Sequence, residues 1–198
     1  MTTMFNDGSR RLQDQFDSRR IADRLASFAR TEFTVVDKDF IEGLSYFFLA
    51  TADAEGRPDC SFKGGMPGFV RVTGPGELAF PDYDGNGMFK SLGNVVVNPS
   101  VGLLFIAMHG KPQRLRVNGT ARVNREDPLL AETVGAQLIV RVAARAIFAN
   151  CPRYLPSMQL VEPSIYTPKP GSEPPEPAWK SFPEFRELVH PRQPTFKG

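Results

Sequence analysis

The sequence predicts a mainly β (α+β) protein, a barrel of about six antiparallel strands flanked by small helices. Three observations lead to it. From Tyr46 onward, short apolar runs bounded by Gly, Pro, Asn and Asp recur, which is the pattern of strands joined by turns. The stretch Arg114-Leu115-Arg116-Val117-Asn118-Gly119-Thr120-Ala121-Arg122-Val123 alternates, with Leu115, Val117, Ala121 and Val123 on one face and arginines on the other. A parallel α/β sheet would need a long helix after nearly every strand, and the sequence offers none.

Residues 9–30 carry Leu12, Phe16, Ile21, Leu25 and Phe28 at roughly helical spacing among arginines and aspartates, which predicts an amphipathic helix. Asp37 suits the N-cap of a second, short helix over 38–44. The period then changes. Residues 46–51 read as a buried strand, 53–58 as a turn and 60–63 as the partner strand. Further strands are expected over 69–72, 77–80, 101–108, 114–124 and 141–150, with a short helix over 128–135 between the last two. From Pro168 to Pro177 every second residue on average is proline, so this stretch is expected to be extended or disordered. Trp179, Phe182, Phe185 and Leu188 follow with the spacing of a short amphipathic arm, laid over the same subunit or a neighbour, or loosely held. The expected organisation is a helical segment packing on the barrel (1–36), a barrel domain (37–162) and a proline-rich arm (163–198).

Composition excludes several function classes. A chain of 198 residues with 41% hydrophobic and 23% charged residues is that of an ordinary globular domain. A net charge of +2, with arginines and lysines dispersed, gives no footprint for nucleic acid. No apolar run reaches membrane-span length, and residues 1–20 are too polar for a signal peptide. Cys60 and Cys151 cannot build a disulfide framework, so a reducing cytoplasm is the expectation. With only His109 and His190 besides, both reading as solvated loop residues, a protein-held zinc or iron site is not expected.

The most informative stretch is 82–99. Gly85, Gly87 and Gly93 relax the backbone beside Asp82, Tyr83, Asn86 and Met88, so that amide N–H groups can converge on an anion. Lys90 and Ser91 fall where a helix begins, adding a cation and a hydroxyl to its N-terminus. The stretch is neither a P-loop nor a GxGxxG turn. It suits a phosphate cradle and equally suits a glycine-rich loop with no ligand.

Several motifs together resemble one family. The hairpin Phe47-Phe48-Leu49-Ala50-Thr51-Ala52-Asp53-x-x-Gly56-x-Pro58-x-Cys60-Ser61 is one, and the loop Phe80-Pro81-Asp82-Tyr83-Asp84-Gly85-Asn86-Gly87-Met88 is another. With the pair Asn98-Pro99 and the strand Leu115-Arg116-Val117-Asn118-Gly119, they are similar to the pyridoxamine 5'-phosphate oxidase-related FMN-binding proteins. Ile147-Phe148-Ala149-Asn150-Cys151-Pro152-Arg153-Tyr154-Leu155-Pro156 resembles a signature of one branch of that family. The resemblance implies a split β-barrel that dimerises, with FMN held between two subunits.

Carried onto this sequence, the resemblance sets Ser61, Phe62, Lys63 and Gly64 along the flavin ring, where Lys63 would stabilise charge on the reduced ring. It sets Asp82, Tyr83, Asn86, Gly87, Met88, Lys90 and Ser91 around the ribityl phosphate. Ser91 stands where the family has a second cation, and Asp82 and Asp84 are expected to serve the turn and the ribityl hydroxyls. Arg114 and Arg116 would reach the partner's flavin, while Arg122 reads as a surface charge. Lys63, Arg153 and Tyr154 are the candidates for substrate chemistry. The segment 150–156 suits either a substrate-selecting wall or a barrel-closing turn. Cys60 and Cys151 read as inert packed thiols more than reactive ones. The true oxidases end in a tryptophan- and arginine-containing motif, whereas this chain has Trp179-Lys180 and a proline-rich stretch. Vitamin B6 oxidase activity is therefore not expected. The function implied is two-electron transfer through flavin N5 on a small molecule, with any NAD(P)H binding transiently because no Rossmann motif is present. The alternatives are a flavin carrier or sensor, or a split barrel holding a deazaflavin or haem, the last disfavoured by the few histidines.

Overall fold

The computed structural model describes residues 4–189; His190 lies outside them. The single helix expected over 9–30 is two, α1 (Asp7–Gln15) and α2 (Arg19–Ala26). Asn6 caps α1 by accepting from the Ser9 N–H at 2.9 Å. The chain then reverses at Asp17, whose φ of 47° no helix interior accepts. Leu12, Phe16, Ile21, Leu25 and Phe28 all remain exposed, so this hairpin does not bury its apolar face on the barrel as expected. What joins the segment to the barrel is its end. Arg30 and Ile147 exchange main-chain hydrogen bonds at 3.0 and 2.7 Å, and the Phe33 N–H reaches the Pro75 carbonyl at 2.6 Å.

Helix α3 (Val35–Glu42) starts three residues earlier than expected. Its N-cap is Thr34, and Asp37 sits at the third helical position in a reciprocal capping box. Asp37 earns its burial through Arg30, whose guanidinium donates to it at 2.5 and 3.0 Å.

Seven strands follow, one at each of the seven runs expected: β1 (Tyr46–Ala52), β2 (Pro58–Gly64), β3 (Arg71–Gly74), β4 (Glu77–Tyr83), β5 (Ser100–Ala107), β6 (Gln113–Asn124) and β7 (Ala136–Ala149). They form one antiparallel sheet in the order β2-β1-β5-β6-β7-β4-β3. Its edges, β2 and β3, are not joined, so the barrel is split. The alternation read along 114–123 holds, with Leu115, Val117 and Ala121 buried. Phe47 is the hub of the core, meeting Phe80 and Phe105 with ring centroids 4.9 and 5.1 Å away. The sheet bends at a bulge between Asn118 and Gly119, where a side chain on Gly119 would run into the Ala143 carbonyl.

Strand β7 begins before the expected position 141, and the helix expected over 128–135 is only a 3-10 turn, Pro128–Glu132. Asp127 caps that turn and receives the Arg141 fork at 2.5 and 2.9 Å, while Arg141 also donates to Glu77 at 2.7 Å. These bonds tie β7, β4 and the turn together. Helix α4 (Lys90–Val97) lies on the sheet through Leu92 and Val95, with the buried Asn94 amide donating to Thr51 Oγ1 at 3.0 Å. Among the described residues no helix is long and apolar enough to cross a membrane.

Candidate functional site

A cleft of about 940 Å³ opens between β2, the end of β4, the loop 84–89, the start of α4 and the C-terminal arm. Most residues singled out in the sequence meet there. Ser61, Phe62, Lys63 and Gly64 come from β2, Asp82 and Tyr83 from β4, Asn86, Gly87 and Met88 from the loop, and Lys90 and Ser91 from α4.

The loop has a local logic. Asn86 Oδ1 accepts the Met88 N–H at 3.0 Å, an Asx turn. Gly87 has φ of 74°, and nothing stands within 4 Å of where a Cβ would be. Phe89, left-handed with φ of 47°, then turns the chain into α4. No side chain caps that helix, so its first-turn N–H groups lack the side-chain partner that α1 and α3 receive. Ser91 is buried, and its Oγ donates to the Asp59 carboxylate at 2.7 Å and is hydrogen-bonded to Ser61 Oγ at 3.0 Å. This network locks α4 to β2.

At the other side of the cleft, Gln137 Nε2 donates to Asp82 Oδ2 at 2.8 Å and to the Tyr83 carbonyl at 3.1 Å. Lys63 Nζ lies 3.8 Å from Asp82 Oδ1. Burial dominates at Asp82 and holds its carboxyl above the ordinary aspartate range, although Gln137 and Lys63 pull the other way. Burial likewise pushes the Tyr83 phenol up to about 12. Asp84 is ion-paired with Lys180 at 2.6 Å. Asp82 and Asp84 thus have protein partners beyond the turn role expected of them.

The structure does not bring every expected residue to this cleft. Arg114 and Arg116 lie on β6 away from it. Arg116 is exposed opposite Leu104 and Phe148, and Arg114 donates to the Cys151 carbonyl. Arg114 Nε and Asn150 Oδ1, both buried, have no hydrogen-bond partner among the described residues. Arg153 and Tyr154 are exposed and meet only in a loose cation–π contact of 6.0 Å, so within one chain the segment 150–156 does not line the cleft. Cys60 and Cys151 are free and exposed, which corrects the reading of packed thiols. His109 is exposed in the turn after β5. Among the described residues no cluster of three or more His, Cys, Asp or Glu could hold a metal ion.

Sequence reading missed Asp59, Gln137 and the arm. Gln137 was hidden because a helix was expected just before it, where β7 in fact begins. The aromatic spacing of the arm was visible, but nothing in it specified that Trp179, Lys180, Phe185 and Leu188 fold back over this cleft.

A split antiparallel barrel with a glycine-rich loop leading into an uncapped helix defines the class, and comparison names the family. The chain belongs to the pyridoxamine 5'-phosphate oxidase family, whose model matches residues 36–165. Among solved structures it is similar to a candidate pyridoxamine 5'-phosphate oxidase from Lactobacillus delbrueckii, with 23% identity over 61% of this chain and 96% of that one and a TM-score of 0.48. It is similar to an FMN-binding protein from Syntrophomonas wolfei, with 11% identity over 72% and 96% of the two chains and a TM-score of 0.45. It is also similar to HutZ, the haem storage protein of Vibrio cholerae, with 20% identity over 57% and 90% and a TM-score of 0.42. No curated protein matches the chain.

Proposed function

We propose that this chain is an FMN-binding oxidoreductase acting on a small molecule, working in the cytoplasm as a homodimer with composite sites. The observation that carries the reading is the cleft itself, where the uncapped start of α4, Lys90, Ser91 and the open backbone at Gly87 converge beside the edge strand β2. Such a helix start suits a terminal phosphate. The volume falls in the range of cofactor sites, about 300–1,000 Å³, and the donors present fit FMN.

Lys90 and the first-turn N–H groups would hold the phosphate, Ser91, whose hydroxyl proton goes to Asp59, would fix the helix start that presents them, and the backbone of Ser61 to Gly64 would meet the ring's polar edge. When bound, FMN supplies a two-electron carrier. The protein's own part is electrostatic and positional. Lys63 sets a cation on β2, steadied by Asp82. Burial raises the Asp82 carboxyl above the ordinary aspartate range, and Gln137 orients it beside Lys63.

Arg116, Arg153 and Tyr154 are exposed at one end of β6 and β7. A second copy bringing its cleft against this strand end would use Arg114 and Arg116 on the partner's cofactor and Arg153 and Tyr154 on the substrate.

The test is an absorbance spectrum of purified protein with and without added FMN, followed by titration with FMN and riboflavin. Two flavin bands and a preference for FMN are expected. A Soret band, or riboflavin binding as tightly as FMN, would refute the reading.

A further inference from the structure

The cleft has two unlike halves. Around α4 it is polar, with Asp59, Ser61, Lys90 and Ser91. The arm contributes the apolar side chains of Trp179, Phe185 and Leu188 to the same cleft. Trp179 and Phe185 meet edge to face with centroids 5.8 Å apart, so each limits the other's motion. Phe185 and Leu188 are 42% and 76% exposed, which leaves apolar surface uncovered in a concave site.

The charges are unevenly available. Lys63, Lys90 and Lys180 are the cations lining the cleft. Lys180 is buried and ion-paired with Asp84 at 2.6 Å, and Lys63 stands 3.8 Å from Asp82. Lys90 alone of the three has no carboxylate partner among the described ion pairs, and it sits at the helix start. Once a phosphate engages Lys90, none of the described cations that this chain brings to the cleft is left without a carboxylate for a second anion.

Resting on the FMN reading, we propose that the arm residues Trp179, Phe185 and Leu188 form the substrate half of this cleft and select a flat, uncharged, apolar ring compound over a phosphorylated one. The ring would lie on the Trp179–Phe185 wall. The Asp84–Lys180 pair holds the wall in place and hides its cation.

The test is calorimetric titration of the FMN-loaded full chain with two probes, menadione (flat and uncharged) and pyridoxine 5'-phosphate (flat and phosphorylated). Menadione is expected to bind at least tenfold more tightly. Trp179→Ala should weaken it at least tenfold, and Phe185→Ala provides the same comparison if the first variant does not fold. Asp84→Asn, which uncovers the Lys180 charge, should narrow the gap by strengthening the phosphorylated probe at least threefold. A wild-type preference for pyridoxine 5'-phosphate, or menadione affinity unmoved by both arm variants, overturns the proposal. Flavin content is read by absorbance before any probe is added. A chain that takes up no FMN refutes the cofactor reading at that step, whereas a loaded chain with the wrong probe preference refutes the arm's role alone.

Discussion

Lys90→Ala separates a phosphate site from an ordinary loop because binding and stability should move differently. Lys90 is the exposed first residue of α4, at a helix start with no side-chain cap. A cation there opposes the helix dipole by about 0.3–1 kcal/mol. Removing it should leave the fold as stable as before or stabilise it by a few tenths of a kcal/mol. If Lys90 holds the FMN phosphate, the same change removes a charge-assisted hydrogen bond, about 1.5–3 kcal/mol. That is about a 10- to 150-fold weaker Kd, since each 1.4 kcal/mol is about tenfold. The exposure of the side chain puts the expectation at the lower end, and rising ionic strength should shrink it further. The assay is flavin fluorescence titration of wild type and variant with FMN and riboflavin, alongside thermal melts. FMN should lose affinity, riboflavin should not, and Tm should not fall. Equal loss for both ligands, no loss for FMN, or a Tm decrease of several degrees would refute the assignment.

Light scattering of the flavin-loaded protein should give a dimer, and Arg116→Ala should weaken FMN while leaving the melting curve unchanged; a loaded monomer would count against composite sites. Turnover of pyridoxamine 5'-phosphate should stay below about 1 per second, the lower end of usual enzyme rates, and a faster rate would refute the expectation drawn from Trp179-Lys180 and the proline-rich stretch. Arg153→Ala, at an exposed position where fold changes are usually within about 0.5 kcal/mol, should keep FMN binding and lose substrate-dependent flavin reduction; a lower Tm with unchanged flavin kinetics would make the segment scaffolding. At Asp37, burial raises the carboxyl, but Arg30 together with the Thr34 N–H and hydroxyl brings it below the ordinary aspartate range. With the folded pKa below the unfolded one, its stabilisation is complete above the ordinary range and is lost as pH falls through the depressed value. Asp37→Asn should therefore flatten the acid side of the Tm–pH curve, and an unchanged acid limb would contradict this.

Most of the barrel was legible because strand signals are local. The alternation along β6 and the apolar run of β1 specify which side chains go inward, and Leu115, Val117, Phe47 and Leu49 do so. Boundaries that depend on one backbone angle were not. Asp17 breaks the first helix with a left-handed residue that its sequence does not demand. Thr34 and Asp37 both suit a cap, and the choice between them is made by Arg30, whose placement depends on the bridge to Ile147. The glycine-rich loop and the start of α4 were legible for the same local reason as the strands, since Gly87, Lys90 and Ser91 stand within a few residues of one another. Arg114 and Arg116 belong to a different case: their face of β6 is plain in the sequence, but no single chain carries them to the cleft.

The loop 84–89 is where the two halves of the site become mechanically connected. At one end Asp84 grips Lys180 and so fixes the arm; at the other, Gly87 and Phe89 set the direction in which α4 departs. Ser91, a turn further on, is itself tied to Asp59 and Ser61 on β2. A ligand pulling on the start of α4 therefore pulls on a short segment anchored at both ends, one anchor a buried network and the other an ion pair of which Asp84 is the more exposed member, at 34% against 6% for Lys180. The buried end resists displacement, since breaking it leaves Ser91 and Asp59 unpaired, while the Asp84 end is the one that salt can loosen. Changes in ionic strength should accordingly move the arm before they move the cradle. The single tryptophan of the chain, Trp179, lies on the arm, so its fluorescence anisotropy should fall with added salt while FMN still binds; anisotropy and FMN affinity falling together would mean that the two anchors are not independent.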